Sequence, residues 1–291
     1  MEHETSSGRR PLSISFSGGG FLCIYQLGVV QALLDRAPEI LKSAPQVYGS
    51  SAGCLAAAAV VFNIDLDKLK KVVLDAAAEA RKTILGPFYP TFNLATIFRK
   101  ALLNLLPENA HEIGTGRFYV ALTRLSDGEA ILASEYNSKE EVIEVIICGC
   151  FVPFYFGFVP PTFRGVRYVD GGITNFHPFF DGKSMITISP FTGEIDICPR
   201  DCPVSHLCVN IFNTSFLYSI QNMCRVVQTL FPPTRTVLKN FYFQGYKDAF
   251  LYLISNGKIN LSTPCLYNHI KDSRNIYVLK EDQNDNWKTV Y

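Results

Sequence analysis

One hydroxyl in this chain stands where a nucleophile would. Ser51 is the centre of Gly49-Ser50-Ser51-Ala52-Gly53, a Gly-x-Ser-x-Gly run. A serine on a sharp turn between a strand and a helix is pushed out to where a substrate reaches it. The glycines leave room for the turn and for the backbone that crosses it. The flanks suit this reading. Gln46-Val47-Tyr48 reads as a short strand, and Leu55–Phe62 is a run of small and apolar residues that suits a helix lying tight against a sheet. The N-terminus of that helix would turn partial positive charge toward Ser51, favouring an alkoxide or a nearby oxyanion. A five-residue pattern recurs by chance, so the chemistry rests on two further glycine-rich stretches.

The first is Gly18-Gly19-Gly20, which follows an alternating strand pattern over Pro11–Phe16 and precedes the apolar run Phe21–Leu34. A dinucleotide or phosphate turn has this look. The full Gly-x-Gly-x-x-Gly spacing fails, because Cys23 stands where the third glycine belongs and Glu39 is followed by more helix or loop. A plain tight turn is a second reading. The third is an oxyanion hole, in which three consecutive glycines present backbone N–H groups with no side chain blocking an ester. The second stretch is Asp170-Gly171-Gly172, at the end of the short strand Gly165–Val169. It is either a turn or a carboxylate held at the sheet edge that carries Ser51. Asn175 and His177 follow.

The elements that must position these groups alternate between strand and helix. Asp65 is placed to cap a helix over Leu66–Thr83, which Gly86-Pro87-Phe88-Tyr89-Pro90 breaks. Leu94–Leu106 is an amphipathic helix carrying Arg99 and Lys100, either packed on the surface of the body or serving as a lid or lipid-contacting helix. Gly116–Thr123 and Ala130–Ala133 read as strands joined by the turn Ser126-Asp127-Gly128-Glu129. Ser138 with Glu141 has capping-box spacing and starts a helix to about Cys148. An aromatic and proline-rich segment spans Phe151–Pro161. Ser184–Ser189 is a strand, and Asn222–Phe231 and Thr234–Ser255 are helices parted by Pro232-Pro233. No repeat or disordered linker interrupts them, so residues 11–257 form one α/β domain, with a polar arm over 1–10 and a polar tail over 258–291.

Composition sets the outer bounds. The chain has 291 residues, 48% hydrophobic and 18% charged, enough apolar residue for a large core. A net charge of +1 argues against a nucleic-acid partner. The 22 Phe and 14 Tyr suit a core, and equally an acyl pocket or a lipid-facing rim. Nine scattered cysteines without a C-x-x-C pair argue against a zinc site and for free thiols in a reducing compartment. Neither a signal peptide nor an apolar run of transmembrane length is present, so a cytoplasmic chain is expected. The sequons at Asn213 and Asn260 would then go unused.

Taken together, Gly18–Gly20, the Gly49–Gly53 motif and Asp170-Gly171-Gly172 resemble the patatin-like phospholipases in order and spacing. The similarity runs from about Leu12 to Gly257. Ile188–Gly193, Asp196-Ile197-Cys198-Pro199 and Leu230-Phe231-Pro232-Pro233 resemble the subgroup of adipose triglyceride lipase and adiponutrin. Cys23 departs from that subgroup's commonest glycine pattern. The resemblance implies a three-layer fold, with a mostly parallel sheet between helices. It also implies a Ser51–Asp170 dyad, with Ser51 as nucleophile and Asp170 as proton acceptor, an oxyanion hole at Gly18–Gly20, and no metal or cofactor. An ordinary α/β-hydrolase would instead need a histidine downstream of its acid, for which His177 is the candidate. The implied activity is hydrolysis of a neutral glycerolipid ester at a lipid-droplet or membrane surface, with a protein co-activator as a further partner. The alternatives are transacylation to a lipid alcohol and a catalytically weak droplet scaffold.

Overall fold

A strand buried on both faces needs covering layers above and below and neighbours on either side. All of β1 (Ser13–Phe16) is buried in this way. The computed structural model describes residues 11–82, 93–178, 184–201, 207–211 and 214–259. The predicted polar arm 1–10, the breaker at Gly86–Pro90, the sequon asparagines Asn213 and Asn260, and the tail from residue 260 lie outside the described residues.

The chain winds in strand–helix units. After β1 come a short 3-10 turn at Gly20–Leu22 and α1 (Cys23–Arg36), so the predicted helix starts two residues later than its apolar run. Next follow α2 (Pro38–Ser43), β2 (Val47–Gly49), α3 (Gly53–Val61) and α4 (Leu66–Ala80). The Asp65 carboxylate caps α4 by accepting from the N–H groups of Asp67 and Lys68. Then come α5 (Leu94–Leu105), α6 (Ala110–Gly114), β3 (Phe118–Arg124), β4 (Ala130–Ala133) and α7 (Lys139–Gly149). At the start of α7, Ser138 accepts from Glu141 N–H as the capping box predicts. The Glu141 carboxylate, however, reaches the N–H of Asn137, one residue before the cap. The remainder is β5 (Thr162–Phe163), β6 (Val166–Asp170), β7 (Met185–Ile188), the hairpin β8 (Cys208–Ile211) and β9 (Thr214–Leu217), α8 (Ile220–Leu230) and α9 (Arg235–Ser255).

The fold is mixed α/β, with a mostly parallel central sheet flanked by helices. Its centre, in the order β7-β1-β2-β3, is parallel throughout. From β1 the chain moves one way to β2 and β3, and later to β7 on the other side. That makes the carboxyl end of β1 the switch point at which α/β sheets open a crevice.

Antiparallel strands join at β3, and their register matters for the site. Val120 pairs with both β2 and β4, so those two lie on opposite edges of β3. Leu122 and Thr123 pair with both β4 and β6, so β6 lies opposite β4 and on the same edge as β2. The strand β6 therefore fills the edge of β3 beyond the point where β2 leaves it. Gly49 is level with Val120, and Asp170 with Leu122, two residues further on.

Helix α1 is buried along most of its length, as its all-round apolarity predicts. It lies against α9 at backbone distance. A Cβ on Gly28 would stand 1.9 Å from the Tyr242 carbonyl oxygen, and one on Gly245 2.0 Å from that of Tyr25. Among the described residues no helix is long and apolar enough to cross a membrane.

Candidate active site

The turn after β2 forces Ser51 into the left-handed region, at φ 50°. A non-glycine residue rests there only where its surroundings hold it. Here they do. Ser50 N–H donates to Phe16 O at 3.1 Å, and Ser50 Oγ donates to Asn175 O at 2.9 Å. The Ser51 carbonyl accepts from Cys54 N–H at 2.9 Å and from Cys150 Sγ at 3.0 Å. The motif glycines let α3 close onto the sheet. A Cβ on Gly53 would stand 2.3 Å from Ser17 O, and one on Gly49 2.6 Å from Cys54 Cα. The N-terminus of α3 thus abuts the carboxyl end of β1 and lies directly after Ser51.

Asp170 arrives from β6 at the same height. Ser51 Oγ donates to Asp170 Oδ2 at 2.5 Å, across 119 residues of sequence. The other carboxylate oxygen, Oδ1, accepts from Gly172 N–H at 2.7 Å. The backbone of Asp170 is pinned as well, its N–H donating to Phe151 O at 2.8 Å and its carbonyl accepting from Thr123 Oγ1 at 2.9 Å. Gly171 allows this closeness, since a Cβ there would stand 2.1 Å from Ala121 O. No cation is among the described partners of the carboxylate. Burial is the largest influence on it and raises its pKa from 3.8 to about 6, against the two hydrogen bonds that favour the ionised form.

Of the predicted glycine turn, Gly19 and Gly20 face the same cavity as Ser51 and Asp170. Gly18 N–H is already committed to Phe176 O at 2.9 Å. Among the described residues the N–H groups of Gly19 and Gly20 have no such acceptor. Gly20 is left-handed at φ 49°, and a Cβ there would stand 2.3 Å from the Thr229 carbonyl oxygen of α8.

His177 is not brought to this site. It is buried, its Nε2 donates to Ser15 O at 3.1 Å, and burial lowers its pKa to about 4, so at neutral pH it is an uncharged structural imidazole.

The cavity has a volume of about 650 Å³, ordinary for a small-molecule site, and its walls are overwhelmingly apolar. Leu94 and Phe98 of α5 form one wall, so that helix both packs on α7, through the Arg99–Glu144 ion pair, and lines the site. Ile146, Val152 and Phe156 extend the wall, and the β8–β9 hairpin contributes Val209 and Phe216.

Sequence reasoning missed three parts of this arrangement. Thr123 lies on an ordinary strand pattern, and only the β3–β6 register puts its hydroxyl on the Asp170 carbonyl. The hairpin that walls the cavity has no strong turn signal. Cys150 is one of the nine scattered cysteines, and nothing in its sequence neighbourhood marks it as a partner of the Ser51 turn. Its hydrogen bond with Cys54 and its burial raise its pKa well above the usual value, so it serves as a protonated thiol donor to the Ser51 carbonyl. Of the cysteines described, Cys23, Cys54, Cys148, Cys150 and Cys198 are free and buried, and Cys208 and Cys224 are free and exposed.

The family model of patatin-like phospholipases matches residues 14–181. The chain is 47% identical over 243 residues to human omega-hydroxyceramide transacylase, a match covering 84% of this chain and 46% of that protein. It is 43% identical over 254 residues to human patatin-like phospholipase domain-containing protein 2, covering 87% and 50%. With human 1-acylglycerol-3-phosphate O-acyltransferase PNPLA3 the identity is 41% over 257 residues, covering 88% and 53%. The chain thus spans about half the length of these relatives.

Proposed function

The chain belongs to the patatin-like phospholipase family, whose members modify lipids, and from that premise we propose that it is a serine acyl-ester hydrolase acting on a long-chain neutral glycerolipid. The observation that carries the reading is the 2.5 Å hydrogen bond from Ser51 Oγ to a buried Asp170 carboxylate, which has no cation among its described partners and lines an apolar cavity.

In this mechanism Ser51 Oγ attacks the ester carbonyl as its proton passes to Asp170. The carbonyl oxygen becomes an oxyanion, which accepts from the Gly19 and Gly20 N–H groups, while Gly18 holds the turn through Phe176. Collapse breaks the ester C–O bond, and the leaving alkoxide takes the proton from Asp170. Water then attacks the acyl-Ser51 ester with Asp170 again as base. The fatty acid leaves and the proton returns to Ser51. An ordinary aspartate is a weak base, and a carboxylate raised to about 6 by burial is a better one that is still mostly ionised at neutral pH.

A second reading replaces water by a lipid alcohol at the acyl-enzyme stage, which makes the protein a transacylase. The relative named omega-hydroxyceramide transacylase, at 47% identity, favours it. One experiment addresses both. Wild type should react with a serine-directed fluorophosphonate and Ser51→Ala should not. Acyl-labelled triglyceride, given with and without an added lipid alcohol, then shows where the acyl chain goes. Equal labelling of both proteins would remove Ser51 as nucleophile. Transfer to the alcohol in preference to water would replace the hydrolase reading by the transacylase one.

A further inference from the structure

Helix α8 is inside out. A surface helix normally turns its apolar stripe inward, yet the buried residues of α8 are Asn222 and Arg225. Of its apolar residues, Ile220 and Val227 face outward at 81% and 59% exposed, while Met223, Val226 and Leu230 turn to the open cavity and stay exposed there. The inversion is held by a satisfied polar network. Arg225 donates to Asp201 Oδ1 at 2.6 Å and Oδ2 at 2.9 Å, and to Asn222 Oδ1 at 2.8 Å. Asn222 Nδ2 donates to the carbonyls of Thr192 and Leu217, each at 2.8 Å. Ser219 Oγ completes the carboxylate at 2.7 Å. Burying an ion pair and exposing an apolar face are both unfavourable in water. Such a helix makes physical sense where the outer medium is itself apolar.

The exposed face does not stand alone. Most of the large exposed apolar side chains among the described residues fall within 207–231 and 154–159. The two stretches are tied together by Tyr155 Oη, which donates to Leu230 O at 3.0 Å. Phe154 is 68% exposed and left-handed at φ 66°, and it packs edge-on against the exposed Phe158 with centroids 6.3 Å apart. A bulky residue in that region is a genuine outlier. The face is also uncharged, since the one ionisable group between Tyr218 and Thr234 that carries charge at neutral pH is the inward-facing Arg225. It opens directly into the cavity, because Met223, Val226 and Leu230 line the cavity and are exposed as well. Where α8 meets the body, its Thr229 carbonyl rests on Gly20 of the glycine turn.

We propose that the outer face of α8, together with the Phe154–Val159 loop, is a docking surface that seats the mouth of the cavity on a zwitterionic phospholipid surface, so that an apolar substrate passes into the cavity without crossing water. This rests on the lipid-ester reading of the cavity for its purpose, but the binding itself is independent of catalysis. Insertion of uncharged apolar side chains depends on buried apolar area rather than on anionic headgroups, and responds weakly to salt. Charge complementarity decides the lipid class, since among the described residues neither the outer face of α8 nor the Phe154–Val159 loop presents a cation to an anionic surface.

The test uses flotation with phosphatidylcholine vesicles. The Ser51→Ala protein is the reference, so that the outcome does not depend on turnover. The variant Ile220→Glu/Val227→Glu changes two exposed residues about two turns apart on one face of the helix, neither of which lines the cavity. Its partitioning should fall at least ~10-fold, while hydrolysis of a soluble p-nitrophenyl butyrate by the same substitutions in an intact Ser51 background stays within about twofold and the melting temperature is unchanged. Phe158→Glu, on the separate loop, should weaken flotation in the same direction. Unchanged flotation in both variants overturns the proposal. So does binding that needs phosphatidylserine and disappears at high salt. So does a wild-type dimer that the double variant converts to monomer, which would assign the face to a second copy of the chain. If p-nitrophenyl butyrate is not cleaved by any form, the esterase reading falls while the flotation result still decides the docking surface.

Discussion

Two buried carboxylates, one at the sheet edge and one behind α8, were given opposite partners. Asp170 is desolvated, with only hydroxyl and amide donors among its described partners, and burial lifts it to about 6. Asp201 is also desolvated, which on its own would raise it, but the bidentate Arg225 and the Ser219 hydroxyl more than offset this and hold it below the usual carboxylate range. Burial is common to both, and the partner decides the outcome. A carboxylate without a cation keeps a proton affinity useful near neutral pH, whereas a carboxylate with a guanidinium becomes a fixed structural anion. In the proposed mechanism the first serves chemistry, and the second serves architecture. Different measurements should therefore report on each.

The largest effect is expected at the sheet edge. Ser51→Ala and Asp170→Asn should each lower ester turnover by about 10⁴-fold or more, and the double variant should be no worse than the poorer single one, because the two groups act as a unit. Substantial turnover in a folded Asp170→Asn protein would make Asp170 a turn residue and reopen the search for a base. At α8 the loss should appear in stability. Arg225→Met strands the Asp201 carboxylate and should cost about 3–5 kcal/mol, most of it recovered when Asp201→Leu is added. If denaturant unfolding shows the single variant unaffected, the ion pair does not hold the inverted helix.

A smaller effect separates the donors of the glycine turn. Gly19→Ala places a methyl 3.1 Å from Pro190 Cγ, a contact that a slight shift relieves. Turnover should fall about 10²–10³-fold with little change in melting temperature if Gly19 lines the oxyanion position. Near-normal turnover would point to Gly20 and the backbone beyond it.

The smallest effect is the pH dependence of Asp170. Because its folded pKa lies above its unfolded value, the folded state binds the proton more tightly. Its ionisation therefore weakens folding as pH rises from 3.8 to about 6, and the penalty is complete above that. A shift of this size corresponds to roughly 2–3 kcal/mol. Melting of Asp170→Asn relative to wild type should therefore improve between pH 4 and pH 7. Wild-type turnover should fall about tenfold per pH unit below about 6, as the base becomes protonated. A stability difference that is flat with pH would contradict the desolvated, cation-free carboxylate.

Much of this molecule was legible from local pattern. The caps at Asp65 and Ser138, the buried helix after Gly18–Gly20, the strand ending at Asp170 and the long helix after Pro232-Pro233 all follow from periodicity and end signals that act within a few residues. The three glycine-rich stretches were legible for a related reason, since close backbone approach leaves its mark as glycine. The missed parts depend on neighbours remote in sequence. The β8–β9 hairpin takes its cavity-lining role from the elements around it. Thr123 acquires a role because β6 pairs on the same edge of β3 that β2 has just vacated.

Sequence by itself determined that Ser51 sits at a strand–helix turn, that glycines precede it and that an aspartate ends a later strand, because each is a property of a few consecutive residues. Tertiary structure alone decided that Ser51 and Asp170 meet, through a register two residues beyond Gly49. It decided that the N–H of Gly18 is taken by Phe176 and that His177 serves the fold at Ser15. It also decided which way α8 faces. The amphipathic pattern of Ile220–Leu230 is the same whichever side is buried, and only Asp201, Thr192 and Leu217, brought in from elsewhere in the chain, gave Arg225 and Asn222 an interior to enter.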